Sequence, residues 1–197
     1  MEGGSLLEQI KRKKFKEKEI VYIMSQLFKA MQHIHSLGIV HCNIRPENIL
    51  FLNNEENLVR ISDFGEAKMT NTVEIDTSIS KNCFTPLYFA PEILSSKRLR
   101  NNYSLPCDIW SLGIVLYILC FDKAPFDYSS QQPNSSQMRQ KIRDGCIDID
   151  KSEFVSEDLV KVLRKMLKTS PDTRIKADEL LKNNFFRIPL PSNSNEL

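Results

Sequence analysis

The stretch from Glu19 to Asp63 constrains the fold more than any other. Between Glu19 and Leu37, residues Ile20, Ile23, Met24, Leu27, Met31 and Ile34 recur at three- and four-residue steps, the period of one helix face. Gly38 follows, a residue with which helices commonly end. A polar run, His41-Cys42-Asn43-Ile44-Arg45-Pro46-Glu47-Asn48, then precedes two short apolar runs, Ile49-Leu50-Phe51 and Leu58-Val59-Arg60-Ile61. The turn-rich Asn53-Asn54-Glu55-Glu56-Asn57 separates them, so the two runs predict a short antiparallel hairpin. A hairpin sets its outer ends side by side. It would present Asn48 next to Asp63, which follows 15 residues later. The long helix would pack beneath the 41–48 loop and hold it rigid.

A chain of 197 residues with 41% hydrophobic content can bury one core, and one compact unit is expected. Lys+Arg 27 against Asp+Glu 25 leaves a net charge of +2, too balanced to predict nucleic-acid binding. Cys42, Cys83, Cys107, Cys120 and Cys146 show no C-x-x-C spacing and no histidine at metal-ligand spacing. They read as free thiols of a reducing compartment. No signal peptide is recognisable. The apolar run from Ile109 to Phe121 is too short to cross a bilayer, so no membrane partner is expected. The protein is expected in the cytoplasm, the nucleus or both. His33 and His35 read as structural or exposed side chains, because no ligand partner accompanies them.

Written as HCNIRPENIL, residues His41 to Leu50 resemble the catalytic loop of protein kinases, usually HRDLKPENL. Asp63-Phe64-Gly65 and then Ala90-Pro91-Glu92 follow in the family's order, and the ordered set is far more specific than any one motif. The resemblance implies a phosphoryl transfer from ATP with Mg2+, in which Asn48 and Asp63 hold the metal and the nucleotide. It places Asn43 at the position of the catalytic aspartate and Arg45 at that of the lysine near the γ-phosphate. Glu47 and Thr85 fall at substrate-positioning places. His41, Asp108, Glu92 and Arg174 fall at structural ones. An aspartate at position 43 would accept the proton of a substrate hydroxyl. An amide is the same size but lacks the basicity, and a general base typically supplies about 10²–10⁴-fold in rate. Arg45 keeps the charge of a lysine with a planar fork in place of a point-like ammonium.

The resemblance covers the larger, C-terminal lobe, and its glycine-rich phosphate loop and third-strand lysine have no counterpart here. The fold expected is mainly α: a helical C-lobe over residues 1–187, with a short antiparallel β hairpin carrying the two site loops. The N-lobe is expected to be absent, and residues 188–197 to be a flexible tail. Ser5 stands where many relatives carry a glutamate that reaches a basic substrate residue or the ribose. It reads equally well as a helix N-cap. The basic run Lys11-Arg12-Lys13-Lys14-Phe15-Lys16-Glu17-Lys18 reads as a solvated link between helices, with a nuclear address or an anion-binding patch as the alternatives.

Met69 to Asn82 occupies the place of an activation loop. The stretch Cys83-Phe84-Thr85-Pro86-Leu87-Tyr88-Phe89-Ala90-Pro91-Glu92 resembles the C-terminal kinase domains of the tandem ribosomal and mitogen- and stress-activated kinases. Those belong to the calmodulin-dependent-kinase-like group. In them a Thr-Pro phosphorylated by a MAP kinase precedes the stretch; here Lys81-Asn82 stand there. Cys42 replaces the arginine that receives such a phosphate, so donor and receiver are lost together. Glu92 and Arg174 would pair across the lobe. Asp108, in Asp108-Ile109-Trp110-Ser111-Leu112-Gly113, would accept backbone donors around His41 and Cys42 while Trp110 is buried. Short helices are expected over 137–144, from Ser156, and over 177–181.

Three functions are consistent with this reading. The chain is a weak kinase once joined to an N-lobe, or a pseudokinase scaffold, or a regulatory lobe docking on a neighbouring kinase domain. Its partners would be that lobe or domain, a protein substrate and a MAP-kinase pathway component.

Overall fold

The computed structural model of the protein describes residues 2–53, 57–70, 86–95, 104–126, 136–149 and 155–186. Among these, the molecule is mostly helical, with two small antiparallel sheets. Helix α1 covers Leu6–Arg12 and α2 covers Glu17–Ser36. Strands β1 (Ile39–Val40), β2 (Ile49–Phe51), β3 (Val59–Ile61) and β4 (Lys68–Met69) follow. Helices α3 (Pro91–Ser95), α4 (Leu105–Phe121), α5 (Ser136–Asp144), α6 (Glu157–Met166) and α7 (Ala177–Lys182) complete the order.

The core is built around α4. Residues Cys107 to Val115, apart from Ser111, are buried on every side of this helix. A helix apolar all round belongs in an interior. Each fully buried Leu, Ile or Phe side chain contributes on the order of 1.5–3 kcal/mol relative to its exposed state. Gly113 lets α6 come close: a Cβ there would stand 2.8 Å from Leu167 Cδ2. Trp110 is fully buried. Against α4 lies α2, whose Ile23, Met24, Leu27, Phe28 and Met31 are buried. Phe186 closes the far end, edge-on to Phe28 with ring centroids 4.9 Å apart. The periodic residues of the long helix thus face the core, and Gly38 beyond it adopts φ +71, where glycine carries no Cβ penalty.

The hairpin pairs Ile49 with Ile61, Leu50 with Arg60 and Phe51 with Val59. Gln26 of α2 braces it: its Oε1 accepts from Val59 N at 3.1 Å and its Nε2 donates to Asn57 O at 3.0 Å. A second sheet, β1 with β4, is absent from the sequence reading. Two-residue strands carry too little alternation to be read from a sequence. Ser5 caps α1, accepting from Glu8 N while Glu8 Oε2 accepts from Ser5 N. The basic run is partly paired, with Lys13 on Glu19 and Lys14 on Asp122, both at 2.7 Å. No described helix is long and apolar enough to cross a membrane.

Candidate active site

The loop from His41 to Asn48 sits on the N-terminal turn of α4. Asp108 is 1% exposed, and its carboxylate gathers three donors. Its Oδ2 accepts from His41 N at 2.8 Å and its Oδ1 from Cys42 N at 3.0 Å. His35 Nε2, at the end of α2, lies 3.0 Å from Oδ2. These bonds hold Cys42 at φ 65, a left-handed conformation that costs a side-chain-bearing residue about 1–2 kcal/mol. Sequence reasoning named Asp108 and the two backbone donors but not the specific contact of His35. Its only signal was position, next to the last residue of the helix that leads into the loop.

His41 links the loop to the strand that follows. Its Nε2 donates to Ser62 O at 3.1 Å, which leaves Nδ1 to accept from Asn43 N at 3.2 Å. That assignment is the neutral imidazole. Burial pushes the His41 pKa down, outweighing the upward pull of the Asp108 carboxylate. The Phe64 ring tilts against the imidazole with centroids 4.6 Å apart, and the rest of it is exposed.

The hairpin delivers its two ends together. Ser62 N donates to Asn48 O at 2.9 Å, and Ser62 Oγ to the same carbonyl at 3.1 Å. Asn48 Nδ2 donates to Asn43 O at 2.9 Å and reaches Asp63 Oδ2 at 3.3 Å. Asn43 Nδ2 donates to the same Asp63 oxygen at 2.8 Å. Asn43, Asn48 and Asp63 therefore form one polar cluster, and Asp63 and its neighbours face solvent. Among the described residues, no hydrogen bond occupies Asp63 Oδ1 or Asn48 Oδ1. These two oxygens from separate loops fit a hard cation that takes its other ligands from phosphate and water. The described residues contain no group of three or more His, Cys, Asp or Glu that would hold a metal unaided.

Arg45 and Glu47 bond to each other, Nη2 donating to Oε1, across the turn that begins at Pro46. Burial raises the Glu47 pKa, but the hydrogen bond and charge of Arg45, aided by Lys11, bring it below the ordinary value. The Cys42 thiol faces the Val40 carbonyl, its Sγ 3.6 Å from Val40 O. Burial, with Asp108 adding to it, pushes that thiol far up and keeps it protonated.

The remaining predicted site residues lie elsewhere. Arg174 is buried and clamps Glu92 from a distance in sequence, Nη1 to Oε1 at 2.7 Å and Nη2 to Oε2 at 2.9 Å. Thr85, the segment 71–82 and the tail from 187 onward lie outside the described residues.

The model of the protein kinase domain family matches residues 1–186. MAP kinase-activated protein kinase 2 from Homo sapiens is 33% identical over 189 residues, covering 93% of this chain and 46% of that protein. The Drosophila melanogaster protein of the same name is 34% identical over 191 residues, covering 94% and 51%. The chain thus spans about half the length of the curated relatives it matches. Among solved structures, the Rad53 kinase domain with SCD2 superposes with TM-score 0.77 at 28% identity, covering 95% of this chain and 65% of that one. The same domain in complex with AMPPNP gives 0.75 at 26%, covering 95% and 67%.

Proposed function

The chain belongs to the protein kinase domain family, and from that premise we propose that residues 1–187 form the helical lobe of a serine/threonine kinase domain whose phosphoryl transfer is impaired at Asn43. One observation carries the reading: Asn43 stands within hydrogen-bond reach of Asp63 and Asn48, in the cluster that would receive the phosphates. On this reading residue 43 would lie where the substrate proton is removed, and an amide is the wrong acid–base type for that step.

Mg2+ with ATP, when bound, would supply neutralisation of charge developing on the transferred phosphoryl group. Asp63 and Asn48 would hold the metal through their unengaged oxygens. Asn43 can orient a hydroxyl through its side-chain carbonyl, but it cannot remove the proton. Arg45 offers positive charge near the same place while its fork is engaged by Glu47. Glu47 is thereby partly neutralised, which weakens it as a contact for a basic substrate residue. Cys42 has no charge with which to receive an activation-loop phosphate, so the switch at this position is dismantled along with the base. The stretch 83–92 supports a place near the C-terminal domains of tandem kinases, and a MAP-kinase pathway partner is proposed on that likeness.

The test is a two-lobed domain containing this chain, assayed for Mg-ATP binding and peptide phosphorylation as native protein and as Asn43→Asp. The expected result is nucleotide binding in both forms and a rise of about 10²–10⁴-fold in phosphotransfer with aspartate. Native turnover equal to that of Asn43→Asp would refute the impaired-base reading.

A second reading is favoured by the same cluster. The Asn43 and Asn48 side-chain NH2 groups already bond to Asp63 Oδ2 without ligand, an arrangement compatible with a domain kept for binding or scaffolding. Phosphotransfer in neither form would favour it.

A further inference from the structure

Between Ser5 and Glu19 the chain carries six cations, Lys11, Arg12, Lys13, Lys14, Lys16 and Lys18, against three acids. All three acids are committed within the fold. Glu8 Oε2 accepts from Ser5 N at 2.9 Å, and Glu17 Oε2 accepts from Ser156 N at 2.6 Å. Glu19 accepts from Lys13 Nζ at 2.7 Å on one oxygen and from Lys16 N at 2.9 Å on the other. Lys14 pairs with Asp122. Lys11, Arg12, Lys16 and Lys18 are exposed, and among the described residues none of them closes an ion pair. Lys11 and Arg12 stand in the last turn of α1, where cations are favoured. Lys16 is the N-cap of α2 and Lys18 lies in its first turn, where a positive charge opposes the dipole of a 20-residue helix. Folding gives no use to those two charges.

The surface is anchored beside the candidate active site. Phe15, among the lysines, stacks on Phe51 of the hairpin with ring centroids 6.5 Å apart. Helix α1 packs against the turn at Pro46–Asn48. There Glu47 already bonds to Arg45, and Lys11 adds to the positive field around it. A face of this kind attracts anions. A membrane face needs apolar side chains to insert, and a single nucleic-acid strand needs exposed rings on which its bases stack. Phe15 is engaged with Phe51, and the large apolar side chains exposed among the described residues, Leu37, Phe64 and Met69, lie outside this stretch. A net charge of +2 provides no wide basic field for a duplex. A peptide bearing carboxylates needs only the fixed cations.

We propose that the surface from the last turn of α1 to the first turn of α2 is a docking site for an acidic segment of a partner protein. It adjoins the proposed phosphoryl-transfer site and stands without it: binding is read with no nucleotide present, so its failure leaves the impaired base at Asn43 untouched.

The probe is a short fluorescent peptide of Glu and Asp interspersed with Gly and Ser, titrated with the full chain and followed by anisotropy. The acidic peptide is expected to bind, a Lys-rich peptide of equal length is not, and affinity should fall about tenfold as NaCl rises from about 0.05 to 0.3 M. Lys11→Glu with Arg12→Glu should weaken binding about tenfold, and Lys16→Ala with Lys18→Ala about threefold. Lys161→Glu with Lys182→Glu makes the same change in net charge at exposed positions on α6 and α7 and should weaken it less than about twofold. Equal losses from the two charge-reversed pairs would mean that net charge alone attracts the peptide, and would overturn the site. So would failure of the acidic peptide to bind the native chain. Tighter binding of phosphatidylserine vesicles, or of a single-stranded oligonucleotide of matched charge, would overturn the assignment to a protein partner.

Discussion

Replacing Arg174 by alanine should cost more stability than any change at the candidate active site. The guanidinium is fully buried and makes five hydrogen bonds. Two go to the Glu92 carboxylate, and three go to the carbonyls of Lys168, Pro106 and Thr169, at 2.9, 2.8 and 3.2 Å. Its carbon also lies 5.2 Å from the centroid of the Trp110 ring. Truncation leaves Glu92, whose side chain is 13% exposed, as a nearly buried anion without its cation. Removing one partner of a buried ion pair costs about 3–5 kcal/mol. At about 2–4 °C per kcal/mol for a chain of this size, the expected fall in Tm is about 6–20 °C. The assay is urea and thermal unfolding followed by fluorescence of the one tryptophan, Trp110, which touches the altered site. The double substitution Glu92→Gln with Arg174→Ala should lose less than the two single losses combined, because it leaves no unpaired charge. A loss below about 1 kcal/mol in Arg174→Ala, the range of a surface ion pair, would refute the argument that this pair clamps the lobe.

Other outcomes can be checked by simpler measurements. Because the folded His41 pKa lies below its ordinary value of 6.5, the unfolded chain takes up its proton first as pH falls. Its contribution is whole above pH 6.5 and is lost below that, with a slope of at most about 1.4 kcal/mol per pH unit. Urea titrations from pH 7.5 down to 5 should show this loss in native protein and less of it in His41→Gln. Asp108→Asn puts an NH2 group in front of one of the two backbone N–H groups that Asp108 accepts from, His41 or Cys42, and should cost about 1.5–3 kcal/mol by chemical denaturation. Among the described cysteines, Cys146 is exposed, whereas burial pushes the Cys107 and Cys120 thiols up to about 12. A thiol reagent followed by mass spectrometry should label Cys146 first and reach Cys42, Cys107 and Cys120 only on unfolding.

The large elements were legible because each carries a repeating signal. The apolar steps from Ile20 to Ile34 mark α2, and the continuous apolar run after Asp108 marks α4. The two runs around residues 53–57 mark the hairpin and, with it, the meeting of Asn48 and Asp63. Glu92 and Arg174 were readable as partners because each lies in a motif. What escaped was contact without periodicity. The β1–β4 pair is two residues long on each side. Arg45 meets Glu47 across a proline turn, at a separation that faces nothing in a helix. Asn43 was named for what it cannot do as a base, and its bond to Asp63 depends on a backbone conformation that residue type does not announce. His35 meets Asp108 across 73 residues, joining two helices that a one-dimensional pattern treats separately.

The Asp108 anchor has an evolutionary consequence. It grips the loop through main-chain amides, which every non-proline residue at positions 41 and 42 would provide. That grip itself therefore makes no use of the side chains at Cys42 and Asn43. Reactive groups on such a mount can be exchanged, one substitution at a time, without toppling the building, so an ancestor could trade chemistry for silence and still leave a well-made domain to its descendants.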